Sequence, residues 1–163
     1  MLYQVGDRVV HWNYGPGIIT GMDEKVLAGS NRLYYVVEVN RSTLWVPADE
    51  AGEKSLRPPT PASAFKDLLL ILDSPADELS ENQYQRQTQL VQRMQNRTLE
   101  DICCILRDLT ARAQQQKLNR SDLEFMRRAQ EFLLDEWELS LGTPRESARK
   151  ELESLLKGVL AAK

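Results

Sequence analysis

The side chains best suited to chemistry in this 163-residue chain are one histidine and two cysteines, and their spacing gives them no shared task. His11 lies in a strand-like segment without a cysteine or carboxylate cluster at metal-ligand spacing, so a half-buried sheet histidine is expected. Cys103 and Cys104 are adjacent in an apolar helical pattern, which favours buried, reduced thiols. The sequence contains no nucleophile elbow, phosphate loop or zinc-helix motif. It predicts neither an enzyme nor a metal or cofactor site, so the function is expected to be recognition.

Composition limits the kinds of partner. The 42% hydrophobic and 28% charged content is typical of an ordinary globular protein. No apolar run approaches the ~20 residues that span a bilayer, and the N-terminus lacks a signal-peptide pattern, so a cytoplasmic protein without membrane contact is expected. The net charge of −3 argues against a protein that holds DNA by itself, because phosphate neutralisation supplies most non-specific affinity. Any DNA contact is expected to be local and assisted by a partner that already holds the duplex.

The pattern of the chain changes near residue 57. Residues 1–57 carry four short strand signals separated by turn residues, which predict a small antiparallel barrel or strongly bent sheet: Arg8–Trp12, Gly17–Met22, Leu33–Asn40 and Thr43–Val46. Residues 58–61 contain three prolines, which lack amide donors and predict a stiff linker. Residues 62–163 show helical periodicity without a further strand signal.

The second region predicts an all-helical domain of about five helices. Their expected ranges are 62–73, 81–96, 98–117, 121–141 and 144–161. The expected N-caps are Ser80, Thr98, Ser121 and Thr143, and Gly142 is the expected stop of the fourth helix. Trp137 recurs at helical spacing with apolar neighbours and is expected to be a packing anchor. The predicted fold class is therefore α+β, a small β-barrel followed by a helical domain.

An exposed strand edge is the first candidate for recognition. Open edges of small barrels can pair with a partner strand, and two segments are the best candidates: Lys25-Val26-Leu27 and Leu44-Trp45-Val46. If Leu44 and Val46 point into the core, Trp45 points outward, and an exposed tryptophan is typical of an interface anchor. The alternative is that Trp45 packs against the helical part.

The predicted helix 81–96 is the second candidate. Three arginines fall within roughly 40° of one another at about 100° per residue, with Gln83 close by: Arg86, Arg93 and Arg97. Such a stripe with few acids can contact phosphates without reading sequence, and the alternative is an ordinary solvated face. A separate stripe is expected to face the core: Tyr84, Thr88 and Val91.

Several motifs, taken in order, resemble the CarD/CdnL family of bacterial transcription regulators over essentially the whole chain. They include Val5-Gly6-Asp7-Arg8-Val9-Val10, Tyr14-Gly15-Pro16-Gly17, Tyr34-Tyr35-Val36-Val37, Val46-Pro47, Leu106-Arg107-Asp108-Leu109 and Leu118-Asn119-Arg120-Ser121. The resemblance implies a Tudor/SH3-like N-terminal domain, shared with the transcription-repair coupling factor, that binds the β subunit of RNA polymerase. It also implies C-terminal helices that touch promoter DNA at the upstream edge of the transcription bubble and stabilise the open complex.

The resemblance assigns the polymerase contact, by position, to five residues: Lys25, Val26, Leu27, Leu44 and Trp45. The family often has arginine at the places of Lys25 and Trp45, so the tryptophan replaces a charge by an apolar anchor.

The resemblance also implies a DNA wedge, which in the family is a tryptophan followed by basic residues. Here the wedge position is Gln83, and Arg86 alone keeps a positive charge in the run that follows. Tyr84, one residue away, could act as a wedge only if the helix begins elsewhere than predicted. The full set of expected DNA contacts is Gln83, Tyr84, Arg86, Arg93 and Arg97.

The leading hypothesis is a transcription regulator that binds the polymerase β subunit and stabilises promoter open complexes through weak, largely sequence-independent DNA contacts. Docking would raise the local concentration of a feeble DNA-binding face, which reconciles an acidic chain with a promoter-bound role. The protein is expected to act as a monomer in the bacterial cytoplasm, at the nucleoid through the polymerase. The alternatives are a polymerase-docking adaptor whose helices bind another protein, and a barrel-type reader unrelated to transcription.

Overall fold

The computed structural model describes residues 2–96 and 98–161, and it confirms the predicted α+β fold class. Within those ranges there are five strands and six α-helices. The strands are β1 Arg8–His11, β2 Gly15–Leu27, β3 Ser30–Val39, β4 Ser42–Pro47 and β5 Leu56–Arg57. The helices are α1 Glu50–Glu53, α2 Ala62–Leu69, α3 Gln83–Gln95, α4 Leu99–Gln115, α5 Arg120–Leu141 and α6 Arg145–Ala161, with a 3₁₀ turn at Leu70–Asp73.

The chain divides into two compact units, Met1–Pro59 and Thr60–Lys163. The first unit holds the strands and α1, and the second holds the remaining helices. Among the helices of the described ranges, none is long and apolar enough to span a bilayer.

The first unit is built on one antiparallel sheet with the strand order β4-β3-β2-β1-β5. Alternate residues of its strands are apolar, so one face of the sheet encloses a core in which Val9, Ile19, Tyr35 and Val37 are fully buried. β4 stands at one end of the strand order and pairs only with β3 among the strands of this unit. Its other edge therefore has no strand partner within the unit.

A β-bulge in β2 decides which of its side chains face that core. The cross-strand register shifts between Ile19 and Gly21, which leaves Thr20 as an extra residue on β2. Strict alternation would place Asp23 and Lys25 on the same face as the buried Ile19. Because of the bulge, they lie on the opposite, outer face of the sheet.

The second unit packs around α4 and α5. The apolar residues that the structure buries include Ile102, Ile105, Leu106, Leu109, Ala129 and Leu133. Trp137 is fully buried, and its ring centroid lies 5.7 Å from that of Phe65, so the prediction of a packing anchor is confirmed. The neighbouring Glu136 is also buried and accepts hydrogen bonds from the backbone N–H (2.9 Å) and the hydroxyl (2.5 Å) of Thr60. That carboxylate ties the first residue of the unit to α5.

Two helix starts differ from the prediction because asparagine rather than serine caps the helix. The side chain of Asn82, not Ser80, accepts a backbone N–H in the first turn of α3, so the helix begins two residues later than predicted. At the start of α5, Asn119 and Asp122 form a capping box, and Ser121 lies inside the helix. Asparagine and serine are comparable caps, so residue type alone did not choose between them.

Other predicted helix ends agree more closely. Thr98 caps α4 with its side chain, as predicted. Gly142 ends α5 in the left-handed conformation with φ of 67°, which confirms the predicted stop. The predicted start of α6 is one residue early: the helix begins at Arg145, and the carbonyl of Pro144 accepts the backbone N–H of Ala148 at 3.0 Å.

Both cysteines lie on α4 as free thiols. Cys103 is fully buried, and burial raises the pKa of its thiol to about 12. Cys104 is half-buried, and burial raises its pKa as well. Because the thiolate is the nucleophile, Cys103 is an inert core residue.

We therefore expect Cys103 to resist a thiol reagent such as DTNB in the folded chain. A pKa of about 12 against the ordinary 9.0 lowers the thiolate fraction roughly 1000-fold at neutral pH. The measurement is the labelling rate of a Cys104→Ser chain with and without urea, with Cys103→Ser as the control. Equal rates in the folded and unfolded chains would contradict the expectation.

Since the folded pKa is the higher one, this thiol's contribution to stability is fully present below pH 9.0 and is lost as the pH rises towards 12.

Candidate interaction surfaces

Trp45 lies on the outer face of the edge strand β4. Its neighbours Leu44 and Val46 pack against the core of the sheet, whereas Trp45 is 45% exposed. The alternation predicted for this strand is thus confirmed. Leu44 is partly buried against that core, and its part in the polymerase contact stays a prediction.

Two residues of β2 hold the indole of Trp45. Its Nε1–H donates to Oδ2 of Asp23 at 3.0 Å, and Nζ of Lys25 lies 3.9 Å from the ring centroid, a cation–π contact. The structure thus brings Lys25 and Trp45 together, although they stand on strands separated by β3. The sequence pattern does not single out Asp23, because only the bulge at Thr20 turns it toward this face.

The rest of the predicted polymerase contact lies at the end of the β2–β3 hairpin. Val26 is 68% exposed there and pairs with Asn31. Leu27 pairs with Ser30, and its side chain lies outside the described part of the chain. This segment is therefore accessible, but it does not lie beside Leu44 in the sheet.

Arg86 does not lie on a solvated face of α3, so the predicted position of this residue is wrong. The side chain is 4% exposed, and its Nε donates to Oδ1 of Asp122 at 2.9 Å. Its Nη1 also donates to the carbonyls of Ser80 (3.1 Å) and Glu81 (3.3 Å). The guanidinium therefore joins α3, the segment before it and the start of α5 from inside the unit.

Arg93 also forms an ion pair inside the unit, and Arg97 lies outside the described residues. Nη1 of Arg93 donates to Oδ2 of the buried Asp108 at 2.6 Å. The other oxygen of Asp108 accepts from Nε of Arg107 at 2.9 Å, so one carboxylate holds two arginines. The sequence signal for the burial of the arginine stripe is Leu90, because this fully buried leucine lies on the same face of α3 as Arg86.

The solvated face of α3 is instead the stripe that the sequence assigns to the core. Tyr84 is 79% exposed and Val91 is 40% exposed, with Thr88 also exposed between them. These side chains line a shallow groove of about 520 Å³ together with Gln87, Gln92 and Gln95. Since both arginines of α3 are paired inside the unit, this face presents no formal charge.

A second groove, of about 500 Å³, lies where the starts of α3 and α5 meet, and we call it the Gln83 groove. Its lining residues are Gln83, Asn119, Arg120, Ser121, Glu124, Phe125 and Arg128. Phe125 is a partly buried aromatic residue within it. Glu124 is paired with Arg127 at 2.6 Å, and two cations, Arg120 and Arg128, also line the groove.

Neither surface carries the geometry of a catalytic or metal centre. Nδ1 of the half-buried His11 accepts hydrogen bonds from the backbone N–H groups of Asn13 (3.1 Å) and Tyr14 (3.2 Å), which fits the sheet histidine that the sequence predicts. Over residues 2–96 and 98–161, no three histidine, cysteine or acidic side chains cluster in a way that could hold a metal ion.

A sheet with an exposed aromatic on its edge strand and a helical unit with two solvated grooves define a two-module recognition protein. Family models identify it further. The model described as "CarD-like/TRCF RID domain" matches residues 3–59, and "CarD, C-terminal domain" matches residues 67–153. The chain belongs to the CarD/CdnL family and is a transcription regulator that interacts with RNA polymerase.

A relative supports the same assignment. The chain is similar to a Bacillus subtilis (strain 168) protein named "Putative transcription factor YdeB", with 26% identity over 143 residues. The match covers 86% of this chain and 94% of that protein, so it includes both modules.

The buried pair formed by Arg86 and Asp122 generates a stability prediction. Arg86→Ala leaves the carboxylate of Asp122 buried without its cation, and such a loss typically costs ~3–5 kcal/mol of unfolding free energy. Urea denaturation followed by circular dichroism measures it. The matched control is Arg127→Ala, which removes an exposed ion pair on α5 and should change the midpoint little. A solvated Arg86 would give the same small change as the control.

Proposed function

We propose that this regulator docks on the β subunit of RNA polymerase through β4 and stabilises promoter open complexes through weak DNA contacts of its helical unit. The observation that carries the proposal is the exposed Trp45, held by Asp23 and Lys25 on the open edge of a CarD-like/TRCF RID domain. An edge strand supplies main-chain hydrogen bonds to a partner strand, and a fixed aromatic beside it supplies the apolar hot spot.

The DNA contact that we propose is centred on Tyr84. Because Asn82 caps α3, Tyr84 is the second residue of the helix and stands 79% exposed next to Gln83, the family's wedge position. An exposed ring at a helix start can stack against an unpaired base or wedge a base step open. Arg86 and Arg93 are not part of this proposal, because their guanidinium groups are bound to buried carboxylates.

In this proposal α5 supplies the cations, because the exposed face of α3 has none. Arg120 and Arg128 share the Gln83 groove with the wedge position, so phosphates beside a base at Tyr84 would meet them. Two phosphate contacts give a slope of about −2 in log K against log salt, far short of a protein that holds DNA alone. Tethering by the polymerase supplies the remaining affinity for DNA, since a linked module works at an effective concentration on the order of millimolar.

One observation favours the adaptor as a second candidate function. The exposed stripe of Tyr84, Thr88 and Val91 continues along α3 without a charge, and a long neutral surface suits a protein partner better than a phosphate backbone. In that case the sheet would still dock on the polymerase, and the helical unit would present α3 to another protein.

The docking half is tested with Trp45→Ala and the host's own RNA polymerase. Loss of a hot-spot aromatic typically costs ~2 kcal/mol or more, so the Kd should rise about 30-fold. Biolayer interferometry with immobilised polymerase measures the Kd. Tyr14→Ala is the matched control, because Tyr14 is an exposed aromatic elsewhere on the same unit, at 52% exposure. An unchanged Kd in Trp45→Ala would mean that the contact does not lie at Trp45 on β4. No binding by the unmodified chain would reject polymerase docking altogether.

The DNA half is tested by the lifetime of the promoter open complex after competitor challenge. Base stacking on an aromatic is worth ~1–3 kcal/mol, so Tyr84→Ala should shorten the lifetime about five-fold or more while Tyr84→Phe keeps it. The pair Arg120→Ala and Arg128→Ala should shorten it too and flatten its salt dependence. Unchanged lifetimes in both variants, with polymerase binding intact, would reject the DNA contact and leave the adaptor.

A further inference from the structure

The three side chains Asp23, Lys25 and Trp45, which we call the Trp45 anchor, already satisfy the one polar group of the indole. An indole has a single donor, and that of Trp45 is given to Asp23 at 3.0 Å. The ammonium of Lys25 lies over the ring, 3.9 Å from its centroid. The formal charges of Asp23 and Lys25 cancel within the cluster.

One further ion pair and one hydrogen-bonded carboxylate lie near this cluster. Arg32 on β3 pairs with Asp49 at 3.3 Å, and the carboxylate of Glu38 accepts a hydrogen bond from the hydroxyl of Thr43 at 2.9 Å. The Thr43 hydroxyl is neutral, so Glu38 keeps its charge, and the five charged residues named around Trp45 carry one net negative charge.

We propose that Asp23 is the positioning residue of the Trp45 anchor, and that the anchor selects an uncharged, apolar patch on a strand of polymerase β. The inference rests on the polymerase docking proposed above and adds the chemistry of the partner surface. A partner carboxylate would meet an indole without a spare donor, and the attraction of Lys25 would be offset by the repulsion of Asp23. An aliphatic or proline side chain would meet a flat ring already held in place.

The contrast with arginine makes the proposal specific. Arginine presents a fork of donors that binds a carboxylate in a bidentate pair, and such pairs weaken as salt rises when they are exposed. The Trp45 anchor replaces that fork by a ring, and β4 adds main-chain hydrogen bonds that carry no net charge. Docking of this chain should therefore depend little on ionic strength.

The first experiment measures the Kd for the host's core RNA polymerase at NaCl concentrations from about 50 to about 500 mM. The expected change across this range is about two-fold or less. Trp45→Arg is expected to raise the Kd about 30-fold, as Trp45→Ala does. A ten-fold or larger weakening by salt, or full binding by Trp45→Arg, would overturn the neutral anchor.

The second experiment tests the positioning role of Asp23. Asp23→Ala should weaken binding about ten-fold, while Asp23→Asn, whose amide oxygen still accepts the indole N–H, should bind nearly as well as the unmodified chain. Glu24→Ala is the matched control, since it removes the same charge from the next residue of β2, on the other face. The indole N–H resonance of Trp45 in a ¹H–¹⁵N spectrum, assigned with Trp45→Phe, should shift in Asp23→Ala and stay in Asp23→Asn.

These outcomes separate the two proposals. If the unmodified chain does not bind the polymerase, the docking proposal fails. If it binds but Asp23→Ala matches Glu24→Ala in affinity and in the indole resonance, docking stands and the positioning role is wrong. Circular dichroism melting curves identify a variant that has lost its fold, and Asp23→Val, which also removes the acceptor, then takes the place of Asp23→Ala.

Discussion

A buried ion pair between Arg86 and Asp122 is the interaction on which the helical unit depends. Two charges removed from water are tolerated only when their remaining hydrogen bonds are satisfied, and here two backbone carbonyls accept further hydrogen bonds from the guanidinium. Asp122 serves at the same time as the capping-box residue of α5. The pair therefore fixes the rotation of α3 about its own axis. With Arg86 and Leu90 turned inward, Tyr84 has to face solvent.

In the first unit, the corresponding constraint is a single extra residue. The bulge at Thr20 reverses the alternation of β2, and this reversal brings Asp23 and Lys25 to the face that carries Trp45. A strand without the bulge would send both side chains to the core side, where an unpaired carboxylate would be costly. The contacts that hold Trp45 on β4 therefore depend on the backbone bulge of β2, which is not the neighbouring strand.

The sequence predicted the elements well and one helix face badly, for different physical reasons. Periodicity and turn residues report local backbone preference, so the helical ranges and the α+β class followed from them. The orientation of α3 depends on Asp122, 36 residues from Arg86, and no local pattern reports such a pairing. An arginine is normally solvated, which favoured the wrong face. Leu90 was the one sequence signal against that face, because Leu90 and Arg86 lie on the same side of the helix and are buried together.

The two constraints together bear on how an acidic chain would perform the role at a promoter that we propose. Burial of Arg86 and Arg93 removes cations from the α3 surface, so the free energy for a DNA contact has to come mainly from stacking and from proximity. Stacking works only where a duplex is already open, because unstacking a closed one costs a few kcal/mol per step. A regulator with a neutral docking anchor and an aromatic at a helix start would therefore act after melting begins. Under the function that we propose, such a protein would not open closed DNA and would lengthen the lifetime of the bubble that the polymerase has made.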